Sequence, residues 1–188
     1  MIQFCSLLFA LALTGVGAAQ AADKDALTEA QAMGVMLMSN AAEVQIGQAM
    51  AARTADPKVR AYAMRLLDDN LKANRELLGI VENTGILAAD SKLRDQRYAA
   101  GMKEVGALWT TEPGTALDKK FLTEAVEDHV EYLEIIDTRL LPSATTEELK
   151  TSFTAMRATM AAHLQEACQL GAPMGVDAKG CATQPGTR

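Results

Sequence analysis

Four stretches of this chain place apolar residues at the three- and four-residue steps of an α-helix, and each interrupts its apolar stripe with a polar side chain. From Phe121 the stripe runs through Ala125, His129, Tyr132, Leu133, Ile136 and Leu140, so an imidazole holds an apolar position. An earlier stripe reads Met36, Asn40, Glu43, Gly47, Met50, with Val44 beside it. The next reads Val59, Ala63, Leu66, Asn70, Ala73, Leu77, Ile80, and the last Leu149, Phe153, Met156, Met160, His163. Amphipathic helices must bury their stripes on one another, which limits the chain to an all-α four-helix bundle with a polar middle. An ionised Glu in that middle is costly unless paired, hydrogen-bonded or metal-bound. Asn40, Asn70 and Glu124 are the other polar groups expected inside.

Capping residues set the helix limits. Thr28 with Gln31 is a capping-box pattern, and Asp56 precedes a proline at the first helical position. Thr115 with Asp118 follows the Pro113-Gly114 turn, and Thr145 with Glu148 follows Pro142. Gly85, and Gly171 with Pro173, read as stops. These signals predict helices over 28–53, 57–83, 116–140 and 146–170. Short links make the first two an antiparallel hairpin, and likewise the last two. The connection 84–115 is much longer and holds an extra short helix with a stripe of Tyr98, Met102, Val105 and Trp109. Two hairpins joined by such a crossover make the ferritin-like arrangement.

Counting from the turns tests which interior groups can meet. Glu43 and Asn70 come within roughly 5 Å of the same level at 1.5 Å per residue. His129 and His163 differ by roughly 9 Å, which puts His163 level with Glu124 and His129 with Arg157 or Met156. That spacing favours hydrogen-bonded pairs over one tight metal cage. The Glu-x-x-His pattern of di-iron bundles is absent, since Val126 and Met160 stand three residues before the two histidines. An interior hydrogen-bonding role is the plainer reading of each His. A divalent-metal site, iron or zinc, built on Glu43, Asp69, His129 and His163 is the alternative. Methionines such as Met33, Met36, Met64, Met156 and Met160 read as packing filler rather than copper ligands. The acidic series Glu124, Glu127, Asp128, Glu131 and Glu134 reads as a solvated outer face.

The ends point to export. No charge precedes Asp23, Leu7–Leu13 form an apolar run, and Ala19-Gln20-Ala21 is a small-x-small cleavage pattern. Residues 1–21 are therefore expected to be a signal peptide, with an uncleaved anchor as the rival reading. The bundle domain follows at 22–170 and a tail at 171–188, with no later stretch apolar enough to cross a membrane. Cys5 would leave with the signal, while Cys168 and Cys181 are expected to form a disulfide holding the tail to the last helix. A net charge of −6 without a Lys/Arg block argues against a nucleic-acid partner. No glycine-rich phosphate loop, paired C-x-x-C or nucleophile–base–acid set stands out, so neither catalysis nor a cofactor is expected. The expected function is that of a non-catalytic exported protein. The alternatives are a periplasmic metal-binding or metal-dependent redox protein, and an adaptor docking an envelope partner through Tyr98–Trp109.

Several of these residues resemble a bacterial family, the domain of unknown function 4142. The likeness is carried by Leu27-Thr-Glu-Ala-Gln31, Asn40-Ala-Ala-Glu43, Asp56-Pro-Lys-Val-Arg-Ala-Tyr-Ala63 and Leu67-Asp-Asp-Asn-Leu-Lys-Ala-Asn74. It continues in Phe121-Leu122, Ala125-Val-Glu-Asp-His129, Leu140-Leu-Pro-Ser-Ala144 and Ala162-His-Leu164. The resemblance spans 27–168 and implies an exported ferritin-like bundle, periplasmic or associated with the outer membrane, without an assigned activity. Glu43, His129 and His163 match positions where the family has Glu and His. The family usually has Asp-His where this chain has Asp69-Asn70, which weakens any metal site carried over from it.

Overall fold

A computed structural model describes residues 26–177 and 179–182. The expected signal peptide, with Cys5, lies outside the described residues. Four long helices make the bundle: α1 (Glu29–Arg53), α2 (Pro57–Thr84), α4 (Thr115–Ile135) and α6 (Glu147–Gly171). Between α2 and α4 runs α3 (Lys92–Thr110), at 19 residues longer than the short helix the sequence suggested. After α4 come a π-helical turn (Ile136–Leu140) and the short α5 (Leu141–Ser143); α7 (Lys179–Ala182) ends the described chain.

Local chemistry accounts for most of the helix starts. Thr28 and Gln31 form the reciprocal capping box, with bonds of 3.2 and 3.0 Å. Asp56 accepts from the Lys58 and Val59 amides at 2.7 and 3.2 Å, just before Pro57. Gly85, at φ 72°, closes α2 in the left-handed conformation. Two expected caps differ. Gly114 precedes α4 and no side chain caps that helix, so Thr115 is a helical residue. The cap of α6 is Thr146, not Thr145: the Thr146 hydroxyl accepts from the Leu149 amide, and both threonines bond Glu29 of α1. Glu29 accepts from the Thr145 and Thr146 amides at 2.8 and 2.7 Å and from both hydroxyls. A carboxylate from one helix thus sits at the positive end of another, and no local pattern encodes it.

Neighbouring helices run antiparallel in the order α1, α2, α6, α4. Asn40 meets Asn74, Asp69 meets His163, Arg157 meets Asp137, and Tyr132 meets Met36, one pair for each interface. Hence α2 and α4 are parallel across the long connection, the ferritin-like path. The core between them is filled by Tyr62, Phe121, Phe153, Leu66, Met50 and their neighbours, all fully buried. The disulfide Cys168–Cys181 holds α7 to α6, against α4.

Helix α3 lies along α1 and parallel to it, and its buried face is not the one its large apolar residues suggest. Arg97 and Leu108 are buried, whereas Trp109 is 52% exposed with the Arg53 guanidinium stacked 5.3 Å from its ring centre. Gly101 sets this rotation. A β-carbon there would come 2.5 Å from that of Ala42, so only glycine lets the two backbones close up. Helix α1 is therefore covered by α2, α3 and the π-helical turn after α4, and buries Ala42, Ile46 and Ala49 as well as its expected stripe.

Candidate functional site

Midway along the bundle, His129 and His163 are each 1% exposed. His129 Nδ1–H donates to the Ala125 carbonyl one turn back at 2.8 Å, leaving Nε2 with no partner in the protein. His163 Nε2–H donates to Asp69 Oδ2 at 2.9 Å, leaving Nδ1 equally unpartnered. The rings meet edge to face with centres 5.6 Å apart. Tyr62 stands edge-on to His163 at 6.4 Å, its hydroxyl buried and likewise without a protein partner. Burial, and then the neighbouring His163, hold the His129 pKa down to about 4. Burial lowers His163 too, against the pull of Asp69. Both imidazoles are thus neutral at pH 7 and carry one bare nitrogen each.

This meeting contradicts the axial count from sequence. The helical path after His129 continues through the π turn and α5 to Ser143, and α6 begins only at Glu147. His129 is then about 14 residues from its end and His163 about 16 from its start, an offset of roughly 3 Å. Counting both from a single turn position adds the loop 144–146 to the second helix. The partners expected from that count also fail. Arg157 forms a two-point ion pair with Asp137 at 2.5 and 2.7 Å, and Glu124 pairs with Lys120 at 2.5 Å on another face of α4.

That other face holds a second polar group. Arg97 of α3 donates to Asp128 at 2.6 Å and to Glu131 at 2.9 Å, with its guanidinium 5.3 Å from the centre of the Tyr132 ring. Glu43 of α1, 5% exposed, shares a hydrogen bond with Asp128. Burial raises the Glu43 pKa well above the usual range, and Asp128 and Glu104 add to the shift. Glu104 of α3 is pushed up to about 8 by burial, then by Asp128 and Glu124. Glu104, Glu124 and Asp128 edge a cleft of about 460 Å³ between α3 and α4, lined also by Lys103, Lys120 and Ala100. The acidic series on α4 is therefore only partly a solvated face, because α3 covers Asp128 and part of Glu124 and Glu131. Arg97 and Glu104 were not singled out from sequence, although Arg97, Gly101, Glu104 and Leu108 keep helical spacing.

Of the other polar residues expected inside, Asn40 and Asn70 are buried and pair locally, whereas the Glu124 side chain is 28% exposed. Asn40 Nδ2 donates to Asn74 at 3.0 Å, and Asn70 Nδ2 donates to the Leu66 carbonyl at 2.8 Å. Asn70 and Glu43 stand near one level, since Gly47 packs on Ala63 and Leu67 while Asn40 meets Asn74. Asp69 is taken by His163 and Glu43 by Asp128, so the four candidate metal ligands divide between two groups. Among the described residues, no three His, Cys, Asp or Glu side chains are grouped to hold an ion. No described helix is long and apolar enough to cross a membrane.

No curated protein and no solved structure matches the chain. One family model does, that of a domain of unknown function (DUF4142), over residues 14–170. The match takes in all four bundle helices and both polar groups, and the chain belongs to this family.

Proposed function

We propose that this chain is an exported bundle protein of the cell envelope, periplasmic or held near the outer membrane, that does not turn over a substrate. The observation that carries this reading is the state of its interior histidines. His129 and His163 are each 1% exposed and their unpartnered nitrogens are buried, so neither ring is open to a substrate. The polar layer instead acts on the fold, fixing how α1, α3, α4 and α6 sit on one another. The leader-like residues 1–21 and the Cys168–Cys181 disulfide support export. Intact mass of the chain recovered after expression with its leader tests this. Loss of 1–21 and retention of the disulfide are expected; a full-length reduced chain in the cytoplasm contradicts it.

One observation favours a second reading, metal binding. Two buried imidazoles with ring centres 5.6 Å apart each offer a nitrogen without a protein partner, the donor type that zinc and iron take. Elemental analysis of chain purified from the export compartment decides between the readings. Stoichiometric metal lost in His129→Ala/His163→Ala supports the second, and metal-free protein supports the first.

A further inference from the structure

Most of the large apolar side chains are inside, and of the five exposed ones among the described residues three fall on α2: Met64 at 52%, Leu71 at 38% and Leu78 at 53%. They are spaced seven residues apart, the repeat that keeps one side of a helix against another helix. Met64 was expected in the core and is instead the first member of this row. Between them, at the intervening helical steps, stand Asp68 and Arg75, also exposed. Neither has an ion-pair partner among the described residues, whereas Arg65 pairs with Glu166 and Lys72 with Glu76 on the same helix. The row reads Met64, Asp68, Leu71, Arg75, Leu78.

This row is complementary to its own reverse. If a second α2 lies antiparallel across it, with a two-fold axis near Leu71, Leu71 meets the partner's Leu71 and Met64 meets the partner's Leu78. Asp68 then faces the partner's Arg75, and the symmetry repeats that pair on the other side of the axis. A parallel pairing would set Asp68 beside the partner's Asp68, with like charges opposed. We propose that the outer face of α2 is a homodimer interface, in which two copies of this chain pair antiparallel through Met64, Leu71 and Leu78 with reciprocal Asp68–Arg75 ion pairs. The apolar row is short, so the pairing is of moderate strength and dissociates on dilution.

Sedimentation of the mature chain over a concentration series tests the proposal, with a monomer–dimer equilibrium expected. Leu71→Glu, at an exposed position, leaves the helical circular dichroism unchanged and weakens dimerisation at least about tenfold. Asp68→Arg and Arg75→Asp each weaken it, and the two together restore it. Met64→Cys and Leu78→Cys chains crosslink to each other when mixed under oxidation, and each crosslinks poorly to itself. A chain that stays monomeric, whatever other partner covers the row, overturns the proposal. So does a dimer indifferent to Leu71→Glu, or efficient crosslinking of the Met64→Cys chain to itself.

Discussion

Asp128 and His129 are consecutive residues of α4, yet they belong to two polar groups that meet the cost of burial in opposite ways. His129 joins His163 on the side facing α6 and α2, and both rings shed the proton that would charge them. Asp128 joins Glu43, Glu104 and Arg97 on the side facing α1 and α3, where carboxyls keep protons and a guanidinium balances the remaining charge. The histidine rings are buried, with Asp69 at the surface beside them, whereas the carboxyl side opens on a cleft of about 460 Å³. One helix thus carries a neutral layer of buried rings beside a charged layer whose main cation is Arg97. The second should be the more fragile.

Replacing that cation tests the contrast most severely. Arg97→Ala strands Asp128 and removes the positive charge acting on Glu43, while Lys120 still acts on Glu104. A loss of about 3 kcal/mol in denaturant unfolding is expected, as for breaking one side of a buried ion pair. His163→Ala should cost less, about 2 kcal/mol, because the Asp69 it abandons is 39% exposed and can rehydrate. Equal losses in the two variants would erase the distinction between the layers.

The two layers also predict opposite pH slopes. Between pH 4.5 and about 8 the folded chain holds a proton on Glu104 that the unfolded chain has released. The contribution of Glu104 is therefore full below 4.5 and is lost as pH rises through about 8. Between about 4 and 6.5 the unfolded chain protonates His129 while the folded chain does not, so stability climbs over that window and then levels. Over pH 4.5 to 6.5 the two slopes oppose each other, so unfolding curves of variants across pH 4 to 9 are needed to separate them. Glu104→Gln should weaken the alkaline decline, with Glu43 carrying the rest. His129→Gln should weaken the acid rise, with His163 carrying the rest; a variant that weakens the other slope would reverse the assignment.

Outside both layers the effects shrink. Glu29→Ala removes the carboxylate at the start of α6 and should cost about 1 kcal/mol. Although burial opposes it, hydrogen bonds from Thr146 and Thr145 hold the Glu29 pKa down to about 2. Its contribution is then present above pH 4.5 and disappears as pH falls through about 2. Thr115→Ala, at the cap that did not form, should change thermal stability by less than about 0.5 kcal/mol.

What the sequence could say follows from how far each signal reaches. The starts of α1 and α2 are written within four residues, in Thr28–Gln31 and Asp56-Pro57, and were legible. The interior places of Glu43, Asn70, His129 and His163 follow from a single helical period and were legible too. The face of α3 was not, since its burial depends on Gly101 meeting Ala42 some sixty residues away, and the large residues Tyr98 and Trp109 pointed elsewhere. The His129–His163 contact was missed for want of one loop boundary, because an error of a few residues there moves two rings by most of a helical turn. Glu29 at the start of α6 joins residues more than a hundred apart, and no periodicity within either helix announces it.

The central claim is that the two histidines are sealed inside the bundle and uncharged. The chain has only these two, so a histidine-selective NMR titration shows two signals. His129 should stay neutral down to about pH 4, and His163 should also titrate below 6.5. Two imidazoles titrating together near 6.5 in the folded chain would place them in water and contradict the claim.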